Sequence, residues 1–333
     1  MLSDVKKTIE GYGMFAACDR VLVAVSGGPD SMALLNALKS LEPVLGLEIF
    51  VASFDHGVRR NSSRDVRFVK TQARKLGLRF FEGSRRRGKP QAVSEEALRK
   101  IRYAFLLRTA KLAKADCLAL GHTLDDQAET VLMRLIRGSG LWGLASILPV
   151  RVLGGIKVVR PLIGISRREV MAYLKKEKIA FRTDETNSQD IFLRNKIRGK
   201  LLPFLEKGFS PRIRNNLAHI ALSVGADYAH LAVEASEFLK ANSRLRKGRL
   251  FVQEKAFKDL DISLRRMALR MAVASLSSAG LSFAHSEEFE DLLWKKKAGS
   301  QLHLPDGCLA LKERSGITFF RRAQGQGSKT HPG

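Results

Sequence analysis

The sequence predicts an α/β protein, a parallel sheet flanked by helices, followed by a mostly helical C-terminal domain. Three observations predict it. Short β-branched runs alternate with helical segments from residue 21 to about residue 137, the pattern of repeated βα units. From about residue 211 the composition turns helical and alanine-rich. The chain has 333 residues, too many for one small core, so two domains are expected.

VLVAV at 21–25 is the first strand, and SMALLNALKSL after it has helical spacing. LEIFVASF at 47–54 is the second strand. SSRDVRFVKTQARKLG then reads as a helix with a near capping box, Ser62 with Asp65. LRFF is a third strand. A long helix, SEEALRKIRYAFLLRTAKLAKA, starts at Ser94 with acids in its first turn. CLAL at 117–120 is the fourth strand and LDDQAETVLMRLIR the next helix. RVLGGIKVVRPL predicts a short hairpin, SRREVMAYLKKEKI a helix opened by a capping box from Ser166 to Glu169, and 192–207 a helix with a basic stripe. No strand is expected after residue 211 until QLHLPDGCLALKERSGITFFRR, a small hairpin around Asp306-Gly307. Gly208, Ser210 and Pro211 mark the expected boundary, giving a catalytic domain over 1–210, a helical domain over 211–322 and a flexible tail over 323–333.

Charge narrows the partners. With 58 Lys+Arg against 33 Asp+Glu the net charge is +25, which favours a polyanion such as nucleic acid. The three cysteines, Cys18, Cys117 and Cys308, form no CxxC, as suits a reducing cytoplasm. MLSDVKKTIEGYG lacks the apolar core of a signal peptide, and no run approaches the roughly 20 apolar residues that span a bilayer. A cytoplasmic protein with no membrane partner is expected. The sequence leaves a homodimer open.

In parallel sheets ligands sit outside the carboxyl ends of the strands. The first such turn reads SGGPDS, residues 26–31, with neither the lysine of a Walker loop nor a GxGxxG. Gly27 and Gly28 permit backbone conformations that aim N–H groups at one anion, Pro29 suits a first helical turn, and Ser26 and Ser31 offer hydroxyls. Such a turn fits a pyrophosphate held by main chain. Asp30 would repel phosphate unless Mg²⁺ bridges them or it orients a substrate. The second informative stretch is GHTLDDQAETVLMRL. Helical geometry puts Leu124, Ala128, Val131, Leu132 and Leu135 on one side and His122, Asp126 and Glu129 on the opposite, exposed side, with Asp125 on the flank. Acids crowded there bind a metal or recognise a cation; His122 would have no role toward Mg²⁺, which prefers oxygen.

SGGPDS matches the SGGxDS signature of the PP-loop ATP pyrophosphatases, whose fold is that of the adenine nucleotide α-hydrolases. Further segments follow in order: DHGVRRNSS with Asp55, His56, Arg59 and Arg60; RPLIGISRREVMAYL; and TDETNSQDIFLRNKIR with Asp184, Glu185, Thr186, Asn187, Arg194, Asn195 and Arg198. Together with GHTLDDQAETVLMRLIRGSG they closely resemble the tRNA(Ile)-lysidine synthetase family over about residues 20–205. The helical part to about residue 322 resembles that family's first C-terminal domain, and the second one of longer members is not expected here.

The resemblance implies a ligase acting on the wobble cytidine of the CAU anticodon of isoleucine tRNA. ATP adenylates the C2 carbonyl oxygen, with Mg²⁺, and L-lysine then displaces AMP. It assigns ATP to Ser26, Gly27, Gly28, Pro29, Asp30, Ser31, His56 and Arg59, with Asp30 also on the metal. L-Lysine falls to Asp126 and Glu129, with Asp125 beside them. Arg194 would neutralise developing phosphate charge. A carboxylate or His122 would take the proton that lysine must lose, its amine having a reference pKa of about 10.4. The tRNA would meet Arg198 and the basic loop at Arg85, Arg86 and Arg87; a solvated charge run is the other reading of that loop and of RLRKGR at 244–249. Trp142 is expected in a core or on an anticodon base, and His219 and His230 as structural. Three rivals remain. A PP-loop tRNA thiolase generally needs cysteines beside the loop. An amidotransferase-type synthetase leaves the charge unexplained. An RNA-binding protein with a vestigial ATP site would be favoured by an altered Asp30 or a lost glycine.

Overall fold

The computed structural model describes residues 1–55, 57, 62–85, 95–182, 193–277 and 280–322. The chain forms two compact units. The first holds residues 1–138 and 143–222, and the second holds 139–142 with the chain from Ser223 onward. The break falls inside one long helix, twelve residues beyond the boundary the sequence suggested at 210, because the helix runs unbroken from Ile213 to Asn242.

The first unit opens with α1 (Leu2–Gly11). There follow β1 (Arg20–Ala24), α2 (Pro29–Leu45), β2 (Glu48–Asp55), α3 (Ser62–Lys75), β3 (Arg79–Ser84), α4 (Glu95–Leu112), β4 (Cys117–Ala119) and α5 (Leu124–Ile136). After the short α6 (Leu141–Leu144) come β5 (Val150–Leu153), β6 (Ile156–Val159) and α7 (Arg167–Lys176). The six strands run in the order β3-β2-β1-β4-β6-β5. All neighbours are parallel except the β5–β6 hairpin.

Alternation along these strands separates two cores, since successive side chains point to opposite faces. Val21, Val23, Ile49, Val51 and Val159 pack on α2 through Met32, Leu35 and Leu38. Leu22, Phe50, Leu118 and Val158 pack on α4 through Phe105 and Leu106. Burial of each such side chain stabilises the fold by about 1.5–3 kcal/mol. With both faces covered, a ligand can approach this sheet only at its ends. The carboxyl end of β1 leads directly into the SGGPDS turn.

The basic helix expected over 192–207 is three pieces: α8 (Leu193–Lys196), a π-helical turn (Ile197–Leu201) and α9 (Leu202–Gly208). Pro203, in the first turn of α9, has no N–H to give to the turn before it, and the backbone there takes the wider π spacing. α10 (Ile213–Asn242) follows.

The second unit departs from expectation. Two strands stand where none was expected, β7 (Ser243–Arg246) and β8 (Arg249–Gln253), joined by Lys247 and Gly248 at φ 50° and 72°. Positive φ at both central residues is the type I′ hairpin turn that matches strand twist. Next come α11 (Glu254–Asp259), α12 (Ile262–Ala274) and α13 (Phe283–Trp294). The segment around Asp306-Gly307 is not a single hairpin. It forms β9 (Gln301–His303), β10 (Cys308–Lys312) and β11 (Gly316–Arg321) of an antiparallel sheet ordered β7-β8-β11-β10-β9. Its core centres on Phe257, Phe289 and Phe319, whose ring centroids lie 5.2–6.2 Å apart. Residues 323–333, expected as a flexible tail, lie outside the described residues. No helix among the described residues is long and apolar enough to cross a membrane.

Candidate functional site

The turn after β1 is braced by its own serine side chains. Gly27 sits at φ +89°, a conformation that favours glycine, and Gly28 caps α2 with Pro29 next in line. Ser31 Oγ donates to the Gly28 carbonyl at 2.9 Å, and the Ser26 N–H donates to Ser31 Oγ at 3.2 Å. Arg182 N–H donates to the Gly27 carbonyl at 2.9 Å, so the chain beyond α7 is fastened to the same turn.

Asp30 stands in the first turn of α2. Its Oδ2 pairs with Arg167, while Oδ1 is buried and has no hydrogen-bond partner. Burial pushes its pKa up from 3.8 to about 6, against the Arg167 guanidinium that pulls it down; Asp126 and Asp125 add to the rise. Burial outweighs the ion pair because the Arg167 side chain is 46% exposed and its field is shared with solvent.

The acids of α5 do not form an open negative face. Glu129, expected on the solvent side, is 1% exposed. Its Oε2 accepts from Arg194 Nε at 2.8 Å and from Arg198 at 2.9 Å, and its Oε1 accepts from Arg198 Nε at 2.6 Å. Asp126 Oδ1 accepts from Arg194 at 2.7 Å, and its Oδ2 closes a capping box with the N–H and hydroxyl of Thr123. Asp125 Oδ1 accepts from Arg214 at 2.9 Å, and Oδ2 from the Arg167 N–H at 2.6 Å. Periodicity placed these residues opposite the apolar stripe correctly. It could not show that α8 and the π turn lay arginines across them, making the face a charge-balanced lattice. Arg198, expected on RNA phosphates, is part of it.

His122 lies beside this lattice. Arg160 Nε donates to its Nδ1 at 3.3 Å, so the ring proton sits on Nε2. Burial, with Arg160, Arg99, Arg102 and Arg194 around it, holds its pKa well below the usual 6.5. A neutral imidazole in this setting donates from Nε2 and accepts a proton poorly, which weighs against the general-base role the sequence left open.

Three arginines of the site carried no role in the sequence reading. Arg167 and Arg160 lie in the RPLIGISRREV stretch. A signal for Arg167 existed: it opens a helix after a capping serine, and a cation there is unfavourable without a nearby anion. Arg214, held also by Glu206 at 2.8 Å, had no signal, since Asp125, its partner in the site, is 89 residues away in sequence. Among the other expected site residues, Arg85 is half-buried at the end of β3, where its N–H donates to the Asp55 carbonyl. His56, Arg59, Arg60, Arg86, Arg87, Asp184, Glu185, Thr186 and Asn187 lie outside the described residues. Trp142 packs on Tyr228 at 5.1 Å in the second unit.

Residues 3–205 match the family model of the PP-loop domain, and residues 255–326 match that of the TilS substrate binding domain. The chain is 37% identical to the tRNA(Ile)-lysidine synthase of Symbiobacterium thermophilum, over 98% of this chain and 70% of that protein. It is 36% identical to that of Geobacter sulfurreducens, over 97% of this chain and 69% of the relative. Among solved structures, the U34-tRNA thiolase NcsA of Methanococcus maripaludis, with its [4Fe-4S] cluster, superposes with a TM-score of 0.57 at 18% identity. It covers 68% of this chain and 77% of its own, a likeness of fold. Since both family models match in order and the relatives align along nearly the whole chain, the chain belongs to the tRNA(Ile)-lysidine synthase family.

Proposed function

We propose that the chain joins L-lysine to C2 of the wobble cytidine in an isoleucine tRNA with a CAU anticodon. The cytosine C2 carbonyl oxygen attacks the α-phosphorus of ATP and pyrophosphate leaves. The ε-amine of lysine then attacks C2, and AMP departs with the former carbonyl oxygen. The observation that carries this reading is Arg167. Its side chain is on Asp30 of the glycine turn and its N–H is on Asp125 of α5, a link that supports reading the turn and the acidic helix as parts of one site.

The turn of Ser26, Gly27, Gly28 and Ser31 would cradle the pyrophosphate end of ATP through main-chain N–H groups and the α2 N-terminus, with the Ser26 and Gly28 N–H groups exchanging their serine hydroxyl acceptors for phosphate oxygens. Mg²⁺ fits Asp30, whose buried Oδ1 has no partner; Mg²⁺ is characteristically held by one or two carboxylates together with substrate phosphates. When bound, the ion would supply charge neutralisation on the leaving pyrophosphate.

Lysine would be seated by Asp126 and Glu129, but only after an exchange of partners. In the free protein Arg194 holds both carboxylates. A triphosphate carries more negative charge than either and would draw Arg194 toward the transferring phosphorus. Asp126 Oδ1, the more open site and then faced only by Arg198 at 3.9 Å, becomes available to an ammonium group, while Oδ2 stays on Thr123. Asp125 keeps a structural role, since both its oxygens fix other elements. His122, neutral and donating, would hydrogen-bond the substrate, leaving the lysine proton to an α5 carboxylate.

The cysteines do not favour the thiolase reading: Cys117 is buried with its thiol pushed up to about 12, Cys308 is buried in the second unit, and the exposed Cys18 precedes β1, at the opposite end of that strand from the glycine turn. The test supplies ATP, labelled L-lysine and an isoleucine tRNA transcript with a CAU anticodon. Pyrophosphate release together with label in the RNA is expected. ATP cleavage without lysine in the RNA would overturn the reading.

A further inference from the structure

A Walker loop sets a lysine on the phosphates it cradles, and SGGPDS has none. A triphosphate brought to this turn needs its cation from elsewhere in the chain. Most arginines around the site are already committed in the free protein. Arg167 is on Asp30, Arg194 and Arg198 are on Asp126 and Glu129, and Arg214 is on Asp125 and Glu206. Arg182 is not. Its N–H donates to the Gly27 carbonyl at 2.9 Å, its side chain is exposed, and no carboxylate among the described residues pairs with it.

One ring joins this guanidinium to the turn. Phe68, half-buried on α3, lies so near Gly27 that a methyl group there would stand 3.5 Å from it. The Arg182 guanidinium lies over the same ring, 5.4 Å from its centroid. Such a contact at an exposed site is weak beside a charge-assisted hydrogen bond to phosphate, so the ring parks the guanidinium without holding it. The main-chain bond to Gly27 fixes the root of the side chain at the turn. The planar fork at its tip, with five N–H donors, matches phosphate oxygens two at a time.

We propose that Arg182 supplies the cation the glycine turn lacks, binding the β- and γ-phosphates of ATP and the pyrophosphate they become. The proposal rests on the reading above only in taking ATP as the nucleotide of the turn. Titration calorimetry on the full chain with Mg²⁺ tests it, with inorganic pyrophosphate in one series and AMP in the other. Wild type is compared with Arg182→Met and Arg182→Lys, both of which keep the N–H that holds Gly27. AMP carries only the α-phosphate, so it reports the shape of the site without the proposed contact. Arg182→Met should weaken pyrophosphate binding about tenfold or more and leave AMP within about twofold. Arg182→Lys keeps the charge, loses the fork and should recover part of the loss. The KM for ATP should rise in the same order. Wild-type pyrophosphate affinity in Arg182→Met would overturn the proposal and leave a solvated surface cation, as would a wild type that takes up no pyrophosphate. An equal loss of pyrophosphate and AMP would overturn it too, since that assigns the residue to the shape of the turn. The two readings fail separately. If pyrophosphate binding depends on Arg182 but no lysine enters the RNA, the reaction falls and the role of the arginine stands. If lysine enters the RNA and both variants bind pyrophosphate normally, only the role of the arginine falls.

Discussion

Replacing Asp30 by asparagine should stabilise the free protein above neutral pH, and the gain should vanish in acid. The fold raises the Asp30 pKa from 3.8 to about 6, roughly two units, and each unit corresponds to about 1.4 kcal/mol. That gives about 3 kcal/mol, reduced to about 2 because 23% of the side chain remains open to solvent. The sign follows from the direction of the shift. A raised folded pKa means that the fold prefers the protonated form. The stability it lends is complete below about pH 4 and is lost as pH rises through about 6. Asparagine does not titrate, so the difference between variant and wild type should open across that window and stay constant above it. Urea unfolding followed by far-UV circular dichroism at a series of pH values measures it. Tryptophan fluorescence would not serve, because both tryptophans, Trp142 and Trp294, belong to the second unit. A pH-independent difference, or a wild type more stable than the variant at pH 7.5, would show that the Arg167 pair outweighs burial and would refute the reasoning. The stabilised variant should also lose ATP cleavage, since its side chain cannot hold a divalent cation as a carboxylate does.

Gly27→Ala places a side chain at φ +89° and should cost about 1–3 kcal/mol of local strain while raising the KM for ATP, read from steady-state kinetics beside thermal unfolding. Asp126→Asn should raise the KM for lysine with little change in melting temperature. Asp125→Asn should lower the melting temperature and spare that KM, because its oxygens hold Arg214 and the start of α7. Arg194→Lys loses the two-pronged grip on Asp126 and Glu129 and should lower the adenylation rate by about tenfold or more while the protein stays folded through Arg198, as single-turnover pyrophosphate release would report.

The sheet of the first unit was legible because most of its strands centre on a short apolar run bounded by turn residues, and the helices of that unit carry capping signals such as Ser166 with Glu169. The second sheet was not, for a physical reason that β7 and β8 make plain. RLR and RLFV alternate on either side of the Lys247-Gly248 turn, but three of their four outward positions are arginines, and a charge-rich alternation reads as a loop until something pairs with it. The π turn after Lys196 was equally hidden, since one proline in an otherwise helical pattern signals a break without saying how the backbone closes it. In the site, the turn of Gly27 and Asp30 was readable because local sequence dictates its geometry. Glu129 was misplaced on the surface because helical periodicity counts charge as exposed. Only the tertiary approach of Arg194 and Arg198, from 65 residues or more away, lets a carboxylate be buried there.

That burial gives the site a logic that an open acidic pocket would lack. A free negative pocket in a chain of net charge +25 would attract any of its own mobile cations, and free lysine would enter before there was anything to attack. Arginines laid over Asp126 and Glu129 keep the carboxylates neutralised, and only an anion stronger than a carboxylate can draw Arg194 away. A triphosphate is such an anion, so the proposed exchange of partners would make lysine binding conditional on ATP. Linkage makes the condition reciprocal: L-lysine should bind the free protein weakly, and a non-hydrolysable ATP analogue should tighten it by the same factor by which lysine tightens the analogue. Titration calorimetry in both orders reads the two factors. Equal lysine affinity with and without the analogue would mean that the arginines never leave, and that lysine is seated elsewhere.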